Sequence, residues 1–140
     1  MILVKFGMTK MIDSMKTVLM SLVLFTSMGM VPLNGDLERI SLAIQTGNSK
    51  ELAKYFDSTV EITIGEKEET YSKAQAEMVL KDFFTKNKPA SFKMIHNGSS
   101  QGSQYGIGTL ITDKGAFRTY IYLKQKGESV FIQEIRFENE

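Results

Sequence analysis

The chain has no cysteine, no tryptophan, one histidine and two prolines in 140 residues. Without thiols it has no disulfide framework, no thiolate metal cage and no cysteine nucleophile. With His96 as the sole imidazole, a multi-histidine metal site within one chain is excluded. No metal and no cofactor is expected. An excess of either charge is also missing, with 17 Lys plus Arg against 16 Asp plus Glu. Long apolar runs are missing too. The uncharged stretch from Thr17 to Asn34 reaches 18 residues only if its Ser, Thr, Gly, Pro and Asn are counted, and a bilayer span needs about 20 mostly apolar residues. These absences leave a fold and a compartment legible, but no reaction.

What is present is unevenly spread. Seven of the nine Met lie in the first 30 residues, and 29 of the 33 charged residues follow position 35. From Met15 the chain reads as a secretory leader: Lys16, an apolar stretch from Val18 to Phe25, then small and turn-forming residues. Cleavage is expected after Gly29, with Ser27 two residues before it, or near Gly35. A retained anchor and a buried first helix are the rival readings. Residues 1–14 precede the leader unit, and translation is expected to begin at Met15. No cysteine follows the apolar run, so a lipid-modified anchor is not available. The expected product is exported, periplasmic or secreted, and keeps no stable membrane span.

Removing residues 1–35 leaves 14 positive and 15 negative charges, net −1. Nucleic-acid binding needs a concentrated basic patch. Lys81, Lys86, Lys88 and Lys93 are the densest group, and they read as a solvated helix end.

Residues 36–140 read as one domain. Asp36 is placed to cap a helix over Leu37 to about Thr46, with Leu37, Ile40 and Ile44 at helical spacing and Gly47 to end it. Asn48 with Glu51 resembles a capping box for a short second helix carrying Leu52, Tyr55 and Phe56. Val60, Ile62 and Ile64 alternate as a strand, and Gly65 to Glu68 turn the chain into a short strand over Glu69 to Tyr71. Ser72 and Gln75 form a stronger capping box for a helix with Ala76, Val79, Leu80 and Phe83 on one face. Asn87, through a left-handed exit, and Pro89 end it. Four strands follow, over Ser91–Asn97, Gln104–Thr112, Ala116–Lys126 and Ser129–Glu138. They are separated by a Gly- and Ser-rich connection, Asn97 to Ser103, and by tight turns at Asp113-Lys114-Gly115 and Lys126-Gly127-Glu128. Short junctions require an antiparallel meander with one face under the helices. The class is α+β.

This element order resembles the nuclear transport factor 2-like fold, a cone in which a curved antiparallel sheet wraps around N-terminal helices and one long helix, shared with ketosteroid isomerases. More narrowly, the segments Ile40–Phe56 (IxxAIQTGNSKELAKYF), Tyr71–Phe84 (YSKAQAEMVLKDFF) and Tyr105–Lys124 (YGIGTLxTxxGAFRTYIYLK) resemble an uncharacterised family of small exported proteins from Bacteroidetes-type bacteria. The resemblance covers nearly all of residues 36–140 and brings no catalytic residues with it.

Strict alternation places His96 on one strand face with Phe92 and Met94, where it reads either as a cavity proton shuttle or as a hydrogen-bonded core histidine, half exposed beside the loop that follows. Arg118, Tyr120, Tyr122 and Lys124 share the face opposite Phe117, Thr119, Ile121 and Leu123. If the second set is buried, the first is an outward binding or dimer surface, or a merely solvated face; with the facing reversed, Arg118 becomes an anion anchor. Gly106 and Gly108 lie inside a strand, so they mark close packing or a bend rather than a phosphate loop. Asn97-Gly98-Ser99 has the form of a glycosylation acceptor but reads as a turn. Among the carboxylates, Glu134 with Tyr105 or His96 is the one defensible acid–donor combination for isomerase-type chemistry.

The reading is a non-enzymatic binding or interaction domain. A small apolar or amphipathic ligand is expected against Phe83, Phe92, Met94, His96 and Tyr105, and a homodimer through Arg118, Tyr120, Tyr122 and Lys124. An isomerase- or hydratase-like enzyme and a ligand-free envelope domain are the alternatives.

Overall fold

A computed structural model describes residues 35–140. The leader, the Met15 start and the Gly29 cleavage point lie outside the described residues. Three helices, α1 (Gly35–Gln45), α2 (Ser49–Ala53) and α3 (Lys73–Lys86), accompany six strands: β1 (Phe56–Ile64), β2 (Lys67–Ser72), β3 (Pro89–Ser100), β4 (Ser103–Thr112), β5 (Gly115–Lys126) and β6 (Ser129–Asn139). The strands form one sheet in the order β2-β1-β6-β5-β4-β3. Every pairing is antiparallel except β1 with β6, which closes the meander onto the N-terminal hairpin and makes the sheet mixed.

Local chemistry explains most boundaries. Helix α1 begins at Gly35, so Asp36 sits inside the first turn, near Arg39, instead of preceding the helix as a cap. Gly47, at φ +63°, ends the helix. Its N–H donates to the Ile44 carbonyl and the Asn48 N–H to the Ala43 carbonyl, a Schellman arrangement. Asn48 then accepts from the Glu51 N–H and caps α2. Its own N–H is already engaged, so the Asn48–Glu51 box is only half made. Ser72 and Gln75 make the complete box at the start of α3. Asn87 does not leave through a left-handed conformation. It keeps φ −129° and donates its side-chain amide to the Phe83 carbonyl at 3.0 Å.

Two expected boundaries fail because of long-range pairing. Phe56 opens β1 rather than closing α2: the Ile132 N–H donates to the Tyr55 carbonyl and Phe56 pairs with Ile132. Asn97 to Ser100, expected as loop, continue β3 against β4, so the turn shrinks to Gln101-Gly102, with Gly102 at φ +71°.

The concave face of the sheet is filled. Val60, Ile62, Leu110, Ile121, Leu123, Ile132, Ile135 and Phe137 pack against Ile40, Ile44, Leu52 and Leu80 of the helices. The ring of Phe83 stands 4.5 Å from Phe137 and 5.2 Å, edge-on, from Phe117.

Candidate functional site

A cleft of about 440 Å³ opens where α1 crosses β3. Helix α1 supplies Leu37, Glu38, Ser41, Leu42 and Gln45, and β3 supplies Phe92, Met94 and Asn97. The floor depends on glycine. A Cβ on Gly106 would stand 2.9 Å from the Met94 methyl and 3.1 Å from Leu37 Cδ1. One on Gly108 would stand 2.5 Å from the Phe92 ring and 2.7 Å from the Lys93 carbonyl oxygen. The two glycines of β4 therefore let Phe92, Met94 and Leu37 settle onto the sheet, which decides for packing over a bend. Above that floor Leu42 is 59% exposed, and it departs from the buried stripe of its own helix. The Ser41 hydroxyl donates to the Leu37 carbonyl and keeps its lone pairs for an incoming donor.

His96 is not part of this cleft. Met94 opposes Gly108 and His96 opposes Ile107, so Ile95 is an extra residue without a counterpart in β4. Such a bulge reverses the facing of everything after it. It turns His96 to the convex face and brings Asn97, opposite the buried Gly106, into the cleft. Tyr105 is likewise convex and lies over Gly98, its cross-strand neighbour. Phe83 belongs to the aromatic core and borders a different groove, of about 510 Å³, between α3 and β2. That groove's rim cations, Lys67 and Lys86, are paired with Glu69 and Asp82. Of the five expected ligand-lining residues, only Phe92 and Met94 come together. Asn97 and the α1 residues are additions, and the one sequence signal for them is Leu42, apolar off the helix stripe.

The convex face carries Arg118, Tyr120, Tyr122 and Lys124, as alternation requires, since Phe117, Thr119, Ile121 and Leu123 are buried. Tyr105 and Tyr122 are paired neighbours, 47% and 41% exposed. The guanidinium groups of Arg118 and Arg136 lie 5.9 and 5.6 Å from the Tyr120 ring centre. Arg136 Nε is buried without a hydrogen bond, its nearest carboxylate oxygen, on Glu134, being 3.7 Å away. Glu134 stands opposite Glu61. Partial burial, then the charges of Glu68 and Glu134, hold the Glu61 carboxyl above its usual range. At the far end of β1 the opposite holds: the Lys126 ammonium and the Ser58 N–H keep Asp57 below it. Glu134, Tyr105 and His96 all face outward, so that acid–donor combination does not converge on the concave side. Among the described residues no three His, Asp or Glu side chains gather to hold a metal ion, and no helix is long and apolar enough to cross a membrane.

Residues 37–138 match a family model described as a domain of unknown function, DUF4783. The chain belongs to the DUF4783 family. It is similar to the crystal structure of a DUF4783 protein from Bacteroides uniformis, with 32% identity over 79% of this chain and 97% of that one, at a TM-score of 0.72. A DUF4783 protein from Bacteroides ovatus gives 32% identity over 73% and 93%, at a TM-score of 0.71. A designed NTF2-type protein with a long sheet, 15% identical over 72% and 94% at a TM-score of 0.60, shares the fold alone. The fold is nuclear transport factor 2-like, as the element order implies. None of the curated proteins matches the chain.

Proposed function

We propose that this DUF4783 chain is an exported, non-enzymatic binding domain that holds a small amphipathic ligand between α1 and β3. The observation that carries the reading is the cleft itself: about 440 Å³, inside the range of roughly 300–1,000 Å³ of small-ligand sites. Its floor is apolar, while Ser41, Gln45, Asn97 and Glu38 supply donors and acceptors around it. Shape-selective burial with one or two polar anchors is the mechanism such a site offers. Export rests on the leader pattern around Lys16 and Val18–Phe25. Titration with a neutral apolar fluorophore, N-phenyl-1-naphthylamine, tests the ligand reading. Saturable binding is expected, and Leu42→Asp, a change at an exposed position, should weaken it about tenfold or more without altering the circular dichroism spectrum. No saturable binding to the wild type leaves the ligand-free envelope domain instead.

A second reading concerns the other face. The exposed Tyr105–Tyr122 pair beside Arg118 and Tyr120 has the composition of an association surface, and self-association is the reading we attach to it. Sedimentation velocity should show a dimer at micromolar concentration, and a monomer at high micromolar concentration would end the reading.

A further inference from the structure

The convex face is divided by charge along the seam between β5 and β6. On β3, β4 and β5 the outward charged side chains are Lys93, Arg118 and Lys124, and none is acidic. Lys126, at the end of β5, is engaged by Asp57, and Glu140, beyond β6, reaches across to Thr109. On β6, β1 and β2 the outward charges are Glu134, Glu138, Glu61 and Glu68, with Arg136, which donates to Glu138 at 2.7 Å, as the one base. The seam is also the middle of the six-stranded sheet.

A face split in this way is complementary to itself in one arrangement. Two sheets stacked face to face are related by a two-fold axis lying in their common plane. An axis across the strands would set the basic half on the basic half. An axis along the seam sets each basic half on the acidic half of the other copy. Every rung of the sheet is then matched with its own reversal, and the strand registers say which side chains meet. The rung Arg118–Glu138 places each Arg118 against Glu138 of the other copy. The rung Tyr105–Tyr122–Glu134–Glu61 places both phenol hydroxyls against carboxylates. The rung Tyr120–Arg136 places each Tyr120 against the Arg136 side chain of the other copy.

Building on the self-association reading, we infer that a second copy of this chain covers the convex face about a two-fold axis along the β5–β6 seam, with Arg118 of each copy on Glu138 of the other. The aromatic middle supplies contact area and the charged halves set the register and the association rate.

Charge reversal with mixing tests the arrangement. In the folded full chain, Arg118→Glu alone and Glu138→Arg alone each oppose like charges twice per dimer, and each should weaken self-association about tenfold or more. Mixed in equal amounts, the two variants restore both contacts in the mixed pair. That pair should sediment as a dimer within about threefold of the wild-type dissociation constant. Arg118 and Glu138 are also neighbours within one copy, and mixing cannot repair that contact, so rescue reads the contact between copies alone. A wild-type dimer that neither reversal weakens, or that mixing does not rescue, overturns the seam arrangement and leaves self-association standing. A wild type that stays monomeric at high micromolar concentration overturns both.

Discussion

The two faces of this sheet are built from the same strands and obey different economies. Toward the helices, alternate residues of β5 and β6 are apolar and buried, and Phe117 and Phe137 lock onto Phe83 from α3. Away from the helices, the intervening residues are Arg118, Tyr120, Tyr122, Glu134 and Arg136, partly exposed and arranged by sign. The concave face serves cohesion, and the proposed ligand cleft lies at its rim, between α1 and β3. The convex face holds the specific chemistry, because a buried charge without a partner costs too much to keep inside.

That difference can be broken most decisively at Phe137. Its side chain is fully buried against Phe83 and Phe84, so Phe137→Ala should cost roughly 3–5 kcal/mol of stability. Tyr122→Ser, one strand away on the other face, should change stability by within about 0.5 kcal/mol. Urea denaturation at dilute protein concentration reads both. Comparable costs would mean that the convex face is part of the core.

The glycines give a finer version of the same contrast. At Gly108 an added methyl meets the Lys93 carbonyl oxygen, which is backbone and cannot yield without moving β3. At Gly98 it meets only the Tyr105 ring, at 2.6 Å, and that ring can swing into solvent. Gly108→Ala should therefore destabilise by about 2 kcal/mol and weaken ligand binding in the cleft, whereas Gly98→Ala should cost less than about 1 kcal/mol. Thermal melts of the pair, read beside fluorophore titrations, check the order. A reversed order would place the tight packing on the wrong face.

What could be read from the residues follows from how local each feature is. The Ser72–Gln75 box and the Gly47 exit are settled by side chains within five positions of each other, and both appear where the pattern puts them. The facing of Arg118 to Lys124 is settled by alternation alone, since no bulge interrupts β4–β5 pairing. The parallel β1–β6 contact joins residues some 75 positions apart (Phe56 to Ile132), and nothing in either strand announces it. The Ile95 bulge is harder still. An extra residue exists only by comparison with the partner strand, so alternation counted along β3 carries Phe92 and Met94 correctly into the cleft and then carries His96 to the wrong face. Asn97, the residue that does reach the cleft, looks like the start of a turn because Gly98, Ser99 and Ser100 follow it.

The smallest expected effect sharpens the comparison from the convex side. Glu61 faces Glu134 across a parallel rung, with Glu68 nearby, and its carboxyl sits above the ordinary value of 4.5. A carboxyl raised in the folded state binds its proton more tightly there than in the unfolded chain. Stability is therefore unaffected well below pH 4.5, falls as pH rises through the folded value, and stays lowered at neutral pH. Glu61→Gln removes that loss. At dilute concentration it should stabilise the monomer by a few tenths of a kcal/mol at pH 7, about what like charges placed opposite one another cost, and the gain should disappear by about pH 4. Denaturation curves at the two pH values test the sign. If two copies pair along the seam as inferred, Glu61 meets Tyr105 of the other copy, and the same substitution should weaken self-association. A substitution that helps the isolated chain and harms the pair is what an interaction face, as opposed to a solvated one, predicts.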